Sequence, residues 1–246
     1  MRPLFTLLVY LLITAQIYSQ GRGNNTQIWL DYYPSFEINE RLLMAGDYGY
    51  RTLIGDERWN LVYLRPSVRY YLNETFELRG GIGFFYEFNG AISDRFEMRP
   101  WQGVNIYWPK LGNFKWFRID HLIRFEERIS FLTENSWAGS FDFRGRYRFR
   151  GTLNLCIECE NPQWSVPSFI EFFIPFNGVE EAFSDRTRVA VGLDYDMSPS
   201  WKFGFLFNWQ GSRTGRNEDI KIDEFIFQLK VRHYMDKKPR IFNSED

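Results

Sequence analysis

The chain has 246 residues, and 20% of them are aromatic (25 Phe, 14 Tyr, 9 Trp). Its 30 basic residues comprise 23 Arg and 7 Lys, yet the formal net charge is only −1. So many aromatics argue against a disordered chain. Charged residues at 25%, spread along the sequence, argue against a helical membrane bundle, and the near-zero net charge against a nucleic-acid binder.

The N-terminal residues have the layout of a secretory signal. Arg2 precedes an apolar run from Leu4 to Ile13, and Ala15 and Ser19 supply small residues near a cut. The run is about ten residues, short of the roughly 20 that span a bilayer as a helix. We expect a signal over residues 1–19, cleaved near Ser19–Gln20, with no lipoprotein cysteine at the cut. Past it, no charge-free stretch exceeds ten residues, as in Pro100–Pro109 and Phe203–Ser212. A membrane form of the remaining chain then has to be a closed β-barrel, the other fold that satisfies its backbone in lipid.

From Gln27 onward the sequence alternates with period two. Short turn signals divide it into strands at about 27–38, 42–54, 59–72, 75–88, 94–108, 114–131, 137–154, 168–176, 186–197, 200–210 and 222–234. Residues 114–131 put Phe117, Ile119, Ile123, Phe125, Ile129 and Phe131 on one face, with Arg118, Asp120, Arg124, Glu126 and Arg128 on the other. Residues 137–154 put Phe141, Phe143, Tyr147 and Phe149 opposite Asp142, Arg144, Arg146, Arg148 and Arg150. Near the C-terminus Phe225, Phe227, Leu229 and Val231 alternate with Glu224, Gln228, Lys230 and Arg232. No linker divides these runs, so residues 20–235 are expected to form one domain, followed by a polar tail at 236–246.

Alternation alone fits a soluble β-sandwich as well as a barrel. Strand lengths, often 11–18 residues, exceed the usual five or six of globular strands. Tyr and Trp fall toward strand ends (Trp29, Tyr32, Tyr33, Trp59, Tyr70, Tyr71, Tyr107, Trp108, Trp116, Trp137, Trp201 and Trp209), as in the aromatic girdles of outer-membrane barrels. The expected fold is an all-β, antiparallel up-and-down transmembrane barrel. Eleven runs are countable, but bacterial single-chain barrels have even numbers. The expectation is therefore 10 or 12 strands, with 12 preferred.

Four runs carry a family resemblance. They are Trp59-Asn-Leu-Val-Tyr-Leu-Arg-Pro-Ser-Val-Arg-Tyr, Gly80-Gly-Ile-Gly-Phe-Phe, Glu97-Met-Arg-Pro-Trp-Gln-Gly and Arg124-Phe-Glu-Glu-Arg. In this order they resemble domain-of-unknown-function family 2490, over nearly the whole chain after the signal. The resemblance implies an outer-membrane β-barrel of a Gram-negative bacterium, and no activity. Cys156 and Cys159 are not part of that pattern.

With the polar face turned inward, eighteen basic and thirteen acidic side chains point into the lumen. The tally includes Arg51, Arg188 and Lys230. The binding candidates are Arg65, Arg69, Arg95, Glu97, Arg99, Arg118, Arg124, Glu126, Arg128, Arg144, Arg146, Arg148 and Arg150. One reading is structural: long Arg side chains cross a narrow lumen and pair with carboxylates on facing strands. The sharper reading is an anion site or constriction, with Arg144, Arg146, Arg148 and Arg150 as a basic ladder. The implied partners are outer-membrane lipid, small anionic solutes and the barrel-insertion machinery, with no nucleic acid, cofactor or metal.

Rival functions remain open. An outer-membrane lipid hydrolase or transferase needs a histidine near a serine. Here there are only His121 and His233, both on the outer parity with no serine close in sequence, and no catalytic residue is assigned. A bulge turning His121 inward is one possibility. A secreted sandwich binding carbohydrate through its aromatics is the other rival. The Cys156-Ile-Glu-Cys159 pair has no second pair to build a zinc site, and Glu158 and Glu160 disfavour a reactive thiolate, so a short disulfide is expected.

Overall fold

The computed structural model describes residues 25–89, 93–109, 116–132, 139–155, 163–176, 186–212 and 221–236. The expected signal, nearly all of the expected tail and the Cys156–Cys159 pair lie outside them. Strand β1 (Asn25–Asn39) is followed by β2 (Leu42–Ala45) and β3 (Tyr48–Leu53), two halves of one traverse. The pieces β4 (Asp56–Leu64) and β5 (Ser67–Tyr71) make the next. Then β6 (Phe76–Asn89), β7 (Arg95–Tyr107), β8 (Phe117–Leu132), β9 (Gly139–Asn154), β10 (Trp164–Pro175), β11 (Arg186–Asp196), β12 (Trp201–Ser212) and β13 (Lys221–Tyr234) each cross once.

Sequential strands pair antiparallel, and β1 closes the sheet by pairing parallel with β13, from Asn25↔Glu224 to Ser35↔Tyr234. The result is a closed barrel of eleven traverses. This corrects two expectations. The count is 11, not 12, and one seam is parallel, because a closed meander of odd strand number must bring its first and last strands together in the same direction. Even parity is a habit of bacterial barrels; the 19-stranded mitochondrial channel breaks it too. Closure also removes the two-sheet sandwich alternative. The rim where β1 starts is called here the N-rim, and the rim where β13 ends the C-rim.

Local sequence explains the two broken traverses. Pro66 has no N–H to continue the ladder, and beside it the neighbouring traverse breaks at Gly46–Asp47. The Arg65 amide donates to the Asp47 carbonyl (2.9 Å), and the Ile82 amide to the Pro66 carbonyl (3.2 Å). Gly81 lies under this bend, where a Cβ would collide with the Pro66 carbonyl and the Ser67 backbone. At the N-rim, Gly55 takes φ 88° in the tight turn between β3 and β4, a conformation glycine adopts at no steric cost. At the C-rim, Asn39 caps one turn by accepting from the Arg41 and Leu42 amides (2.9 Å each). Asn73 does the same for Thr75 and Phe76 (2.9 Å each).

The outer face is apolar, with Leu30, Val62, Val68, Leu78, Phe125, Val191 and Leu229 all exposed. Toward the C-rim it carries a Trp/Tyr/His belt that includes Tyr32, Tyr48, Trp108, Trp164, Tyr195 and Trp201. The expected girdle is only partly outside, however. Trp29, Tyr33, Trp59, Tyr71 and Tyr107 share the inner parity and point into the lumen. Between the rims, Glu127 is the one charged side chain on the outer face among the described residues. Its β9 partner is Phe143, with Phe125 and Ile129 beside it on β8.

Two expectations follow for stability, read as the temperature at which the barrel loses its heat-modifiable mobility in detergent gels. Gly81→Val drives a side chain into the bend at Pro66 and lowers stability by roughly 1–3 kcal/mol. Glu127→Leu removes a carboxylate from an apolar face and raises it by roughly 1–2 kcal/mol; no rise, or a fall, shows that Glu127 has a partner on that face.

Candidate functional site

Alternation places one inner residue every second position, so inner neighbours on a strand are two apart. Carboxylates and arginines at that spacing meet. Arg79 pairs with Glu77, Arg99 with Glu97 and Arg124 with Glu126, each along its own strand. Pairs between strands then lock the register. Arg128 reaches Glu97 (3.0 Å), Arg146 reaches Glu126 (2.9 Å), and Arg150 reaches Asp120 (2.7 Å). Arg95 joins Glu87 (2.6 Å) and Glu97 (3.2 Å), and Arg188 joins Glu171 (3.3 Å). Near the C-rim, Asp194 accepts from Arg232 (3.1 Å) and faces Lys202 (3.7 Å). Glu77 is fully buried and Glu126 nearly so.

Aromatic rings carry the guanidiniums between these pairs. Trp29 is flanked by two of them, Arg51 Cζ at 3.7 Å and Arg188 Cζ at 4.8 Å from its ring centroid. Arg51 also lies over Tyr63 (4.8 Å), which Arg65 approaches at 5.8 Å. Arg65 and Arg124 lie over Trp101 (6.0 and 4.1 Å). Glu126 then bridges Arg124 to Arg146, and Phe173 lies between Arg146 (4.7 Å) and Arg188 (5.2 Å). This sequence of contacts begins and ends at Arg188, so it forms a belt around the inside of the barrel. Phe85, stacked on Tyr63 (5.3 Å) and under Arg99 (3.9 Å), backs it.

Against the belt lies a cavity of about 190 Å³. Its walls carry ten basic side chains and three acidic ones, Asp31, Asp47 and Glu171. The acids are already engaged. Asp47 holds Arg65, Glu171 holds Arg188, and Asp31 accepts from Tyr63 (2.8 Å), Tyr33 (3.2 Å) and Gln228. Of the basic ten, Arg51, Arg69, Arg148 and Lys230 make no ion pair among the described residues. The Nε atoms of Arg51 and Arg148 are buried without a hydrogen-bond partner.

The sequence candidates are thus divided. Arg65, Arg95, Glu97, Arg99, Arg124, Glu126, Arg128, Arg146 and Arg150 are in the ion-pair network, while Arg69 and Arg148 line the cavity. Arg118 and Arg144 point inward near opposite rims without an ion pair among the described residues. The expected ladder of four arginines on β9 does not act as one surface: Arg146 and Arg150 hold separate carboxylates, and Arg148 lies over Phe169 (5.5 Å). Sequence reasoning missed the rings, along with Arg51, Arg188 and Lys230 as site members. Parity was the available signal, since Trp29 shares it with Asp31, Tyr63 with Arg65, Trp101 with Arg99, and Phe173 with Glu171.

Both histidines stay on the outer face. His121 pairs in regular register with Ile106 and Phe149, with no bulge. Its Nε2 accepts from the Trp108 indole (2.7 Å), so Nδ1 carries the hydrogen and donates to the Tyr147 hydroxyl (2.7 Å). His233 stacks on Trp201 (3.9 Å between centroids), and its Nδ1 meets the Tyr32 hydroxyl (2.9 Å). These imidazoles serve the C-rim belt, and neither nitrogen of His121 is free to activate a nucleophile.

The family model described as "Protein of unknown function (DUF2490)" matches residues 26–220. Among solved structures, the chain is similar to the translocator domain of the autotransporter NalP from Neisseria meningitidis. The TM-score is 0.47 at 11% identity, with 72% of each chain covered. It is also similar to a chain from a structure described as "Unveiling the Mechanism Behind the in-meso Crystallization of Membrane Proteins". There the TM-score is 0.38 at 13% identity, over 86% of this chain and 81% of that one. No curated protein matches the sequence.

Removing Glu126 tests the network at its hub. Glu126→Gln leaves Arg124 and Arg146 buried without their counter-charge, and a loss of roughly 3–5 kcal/mol is expected. Urea unfolding in detergent measures it; a loss under about 1 kcal/mol would mean that the belt does not brace the barrel.

Proposed function

We propose that this chain, which belongs to the DUF2490 family of proteins of unknown function, is an outer-membrane barrel that binds small anionic solutes in a braced lumen. The observation that carries the reading is the set of four cations at the cavity, Arg51, Arg69, Arg148 and Lys230, that make no ion pair among the described residues. The signal-like layout of residues 1–19, an apolar outer face and a Trp/Tyr/His belt at one rim support the location. The belt of rings, guanidiniums and carboxylates supports binding over free diffusion. It occupies the lumen of a barrel already narrower than the 16-stranded porins.

Anions are the solutes to expect, because field lines from uncompensated arginines converge in a low-dielectric cleft. Cations meet the opposite potential. Small solutes are favoured because the cavity, at about 190 Å³, is below the roughly 300–1,000 Å³ of sites for drug-sized ligands.

Planar-bilayer recording of the purified barrel tests this reading. Small conductance, weakly selective for anions, is expected. A wide pore that prefers cations would overturn both the bracing and the charge assignment.

A further inference from the structure

We infer that the cavity holds a phosphate-class oxyanion, a tetrahedral dianion bound by Arg51, Arg69, Arg148 and Lys230. This inference rests on the anion-binding reading and names its ligand class. The four side chains come from β3, β5, β9 and β13 and reach one cavity from different sides of the barrel.

Charge compensation is the first argument. On the cavity wall Asp47 and Glu171 are ion-paired with Arg65 and Arg188, and Asp31 is held by neutral donors, so one carboxylate charge faces four cations that make no ion pair among the described residues. A charge taken out of water without a partner is costly, and more so where other cations surround it. Four such cations against the single charge of Asp31 still leave more than one positive charge to balance, which favours a dianion over chloride or a monocarboxylate. Guanidinium forks match the oxygen spacing of phosphate, and an ammonium serves as a point charge beside them.

The rings supply the second argument, by exclusion. Trp29, Tyr63 and Trp101 are each approached by two guanidiniums. These rings already hold the protein's own cations, so a nucleobase or an aromatic acid stacking on them would compete with those contacts. The ligand is therefore recognised through its charged oxygens. Inorganic phosphate and the phosphate of a small monoester present the same oxygens.

The test uses the full chain in detergent, prepared without phosphate or sulfate, and follows its unfolding temperature. Orthophosphate and glycerol 3-phosphate are compared with chloride and acetate at matched ionic strength. At about 100-fold excess over Kd, orthophosphate is expected to give a rise of roughly 5 °C or more that grows with the logarithm of its concentration. An equal rise with glycerol 3-phosphate assigns the site to monoesters as well; a rise with orthophosphate alone assigns it to the free ion. The Arg148→Gln/Lys230→Gln double variant should keep its heat-modifiable mobility and unfold no lower than the wild type without phosphate, having lost two unpaired charges. It should lose the phosphate response. Equal rises in chloride and phosphate, or an undiminished response in the double variant, overturn the inference. A weakly anion-selective barrel that ignores phosphate defeats this inference alone, whereas a wide cation-selective pore defeats the anion-binding reading as well.

Discussion

The structure depends on how charge is compensated inside a narrow barrel. Period-two alternation turns a whole row of polar residues inward on each strand, and eleven strands leave too little room to keep that row in bulk water. Most inward charges then find a carboxylate, a guanidinium or a ring. Arginine meets this demand where lysine would not. Its planar cation stacks on an aromatic face while its edge still donates to a carboxylate. Arg188 shows both at once, over Trp29 and Phe173 while bonded to Glu171. The excess of arginine over lysine is thus a consequence of filling a lumen rather than of charging a surface.

Such pairs do more for register than for net stability, because desolvation offsets much of their attraction. A slip of one residue in any strand would turn its arginines to the outer face and its phenylalanines inward. Arg128 to Glu97 ties β8 to β7, Arg146 to Glu126 ties β9 to β8, and Arg188 to Glu171 ties β11 to β10. The bend at Pro66 belongs to the same scheme. By breaking two adjacent traverses at one level, it brings Asp47 and Arg65 together and places Arg65 between Tyr63 and Trp101.

Much of this is legible in the sequence, and the reasons for the exceptions are physical. Alternation identifies the strands and their two faces, since burial follows parity. Pairs such as Glu77 with Arg79 are visible as well, because residues two apart must be neighbours on one face. Trp29, Trp59, Tyr71 and Tyr107 were expected in the outer girdle because aromatics near strand ends belong there in most barrels. Parity puts them inside, and parity prevails because a strand cannot turn one side chain around without a bulge. The pairs between strands are not legible. They depend on register, and register depends on connections whose lengths do not reveal it. The odd strand count has the same origin: the runs number eleven, and only the closing β1–β13 seam shows that no twelfth is needed.

Brace and proposed binding site are two results of one distribution of charge. Where the inner face supplies enough carboxylates, as around Glu97 and Glu126, the arginines are consumed in pairs and the wall becomes rigid. Where it does not, as at Arg51, Arg69, Arg148 and Lys230, cations remain without an ion pair among the described residues. The rigid wall matters to those that remain. Arg51 lies over Trp29 and Tyr63, and Arg148 over Phe169, contacts that oppose a swing away from the cavity. A flexible lumen would spread its excess charge toward water at the rims. A braced one keeps it in place, and a fixed cluster of cations in a small cavity is preorganised for an anion before any anion arrives.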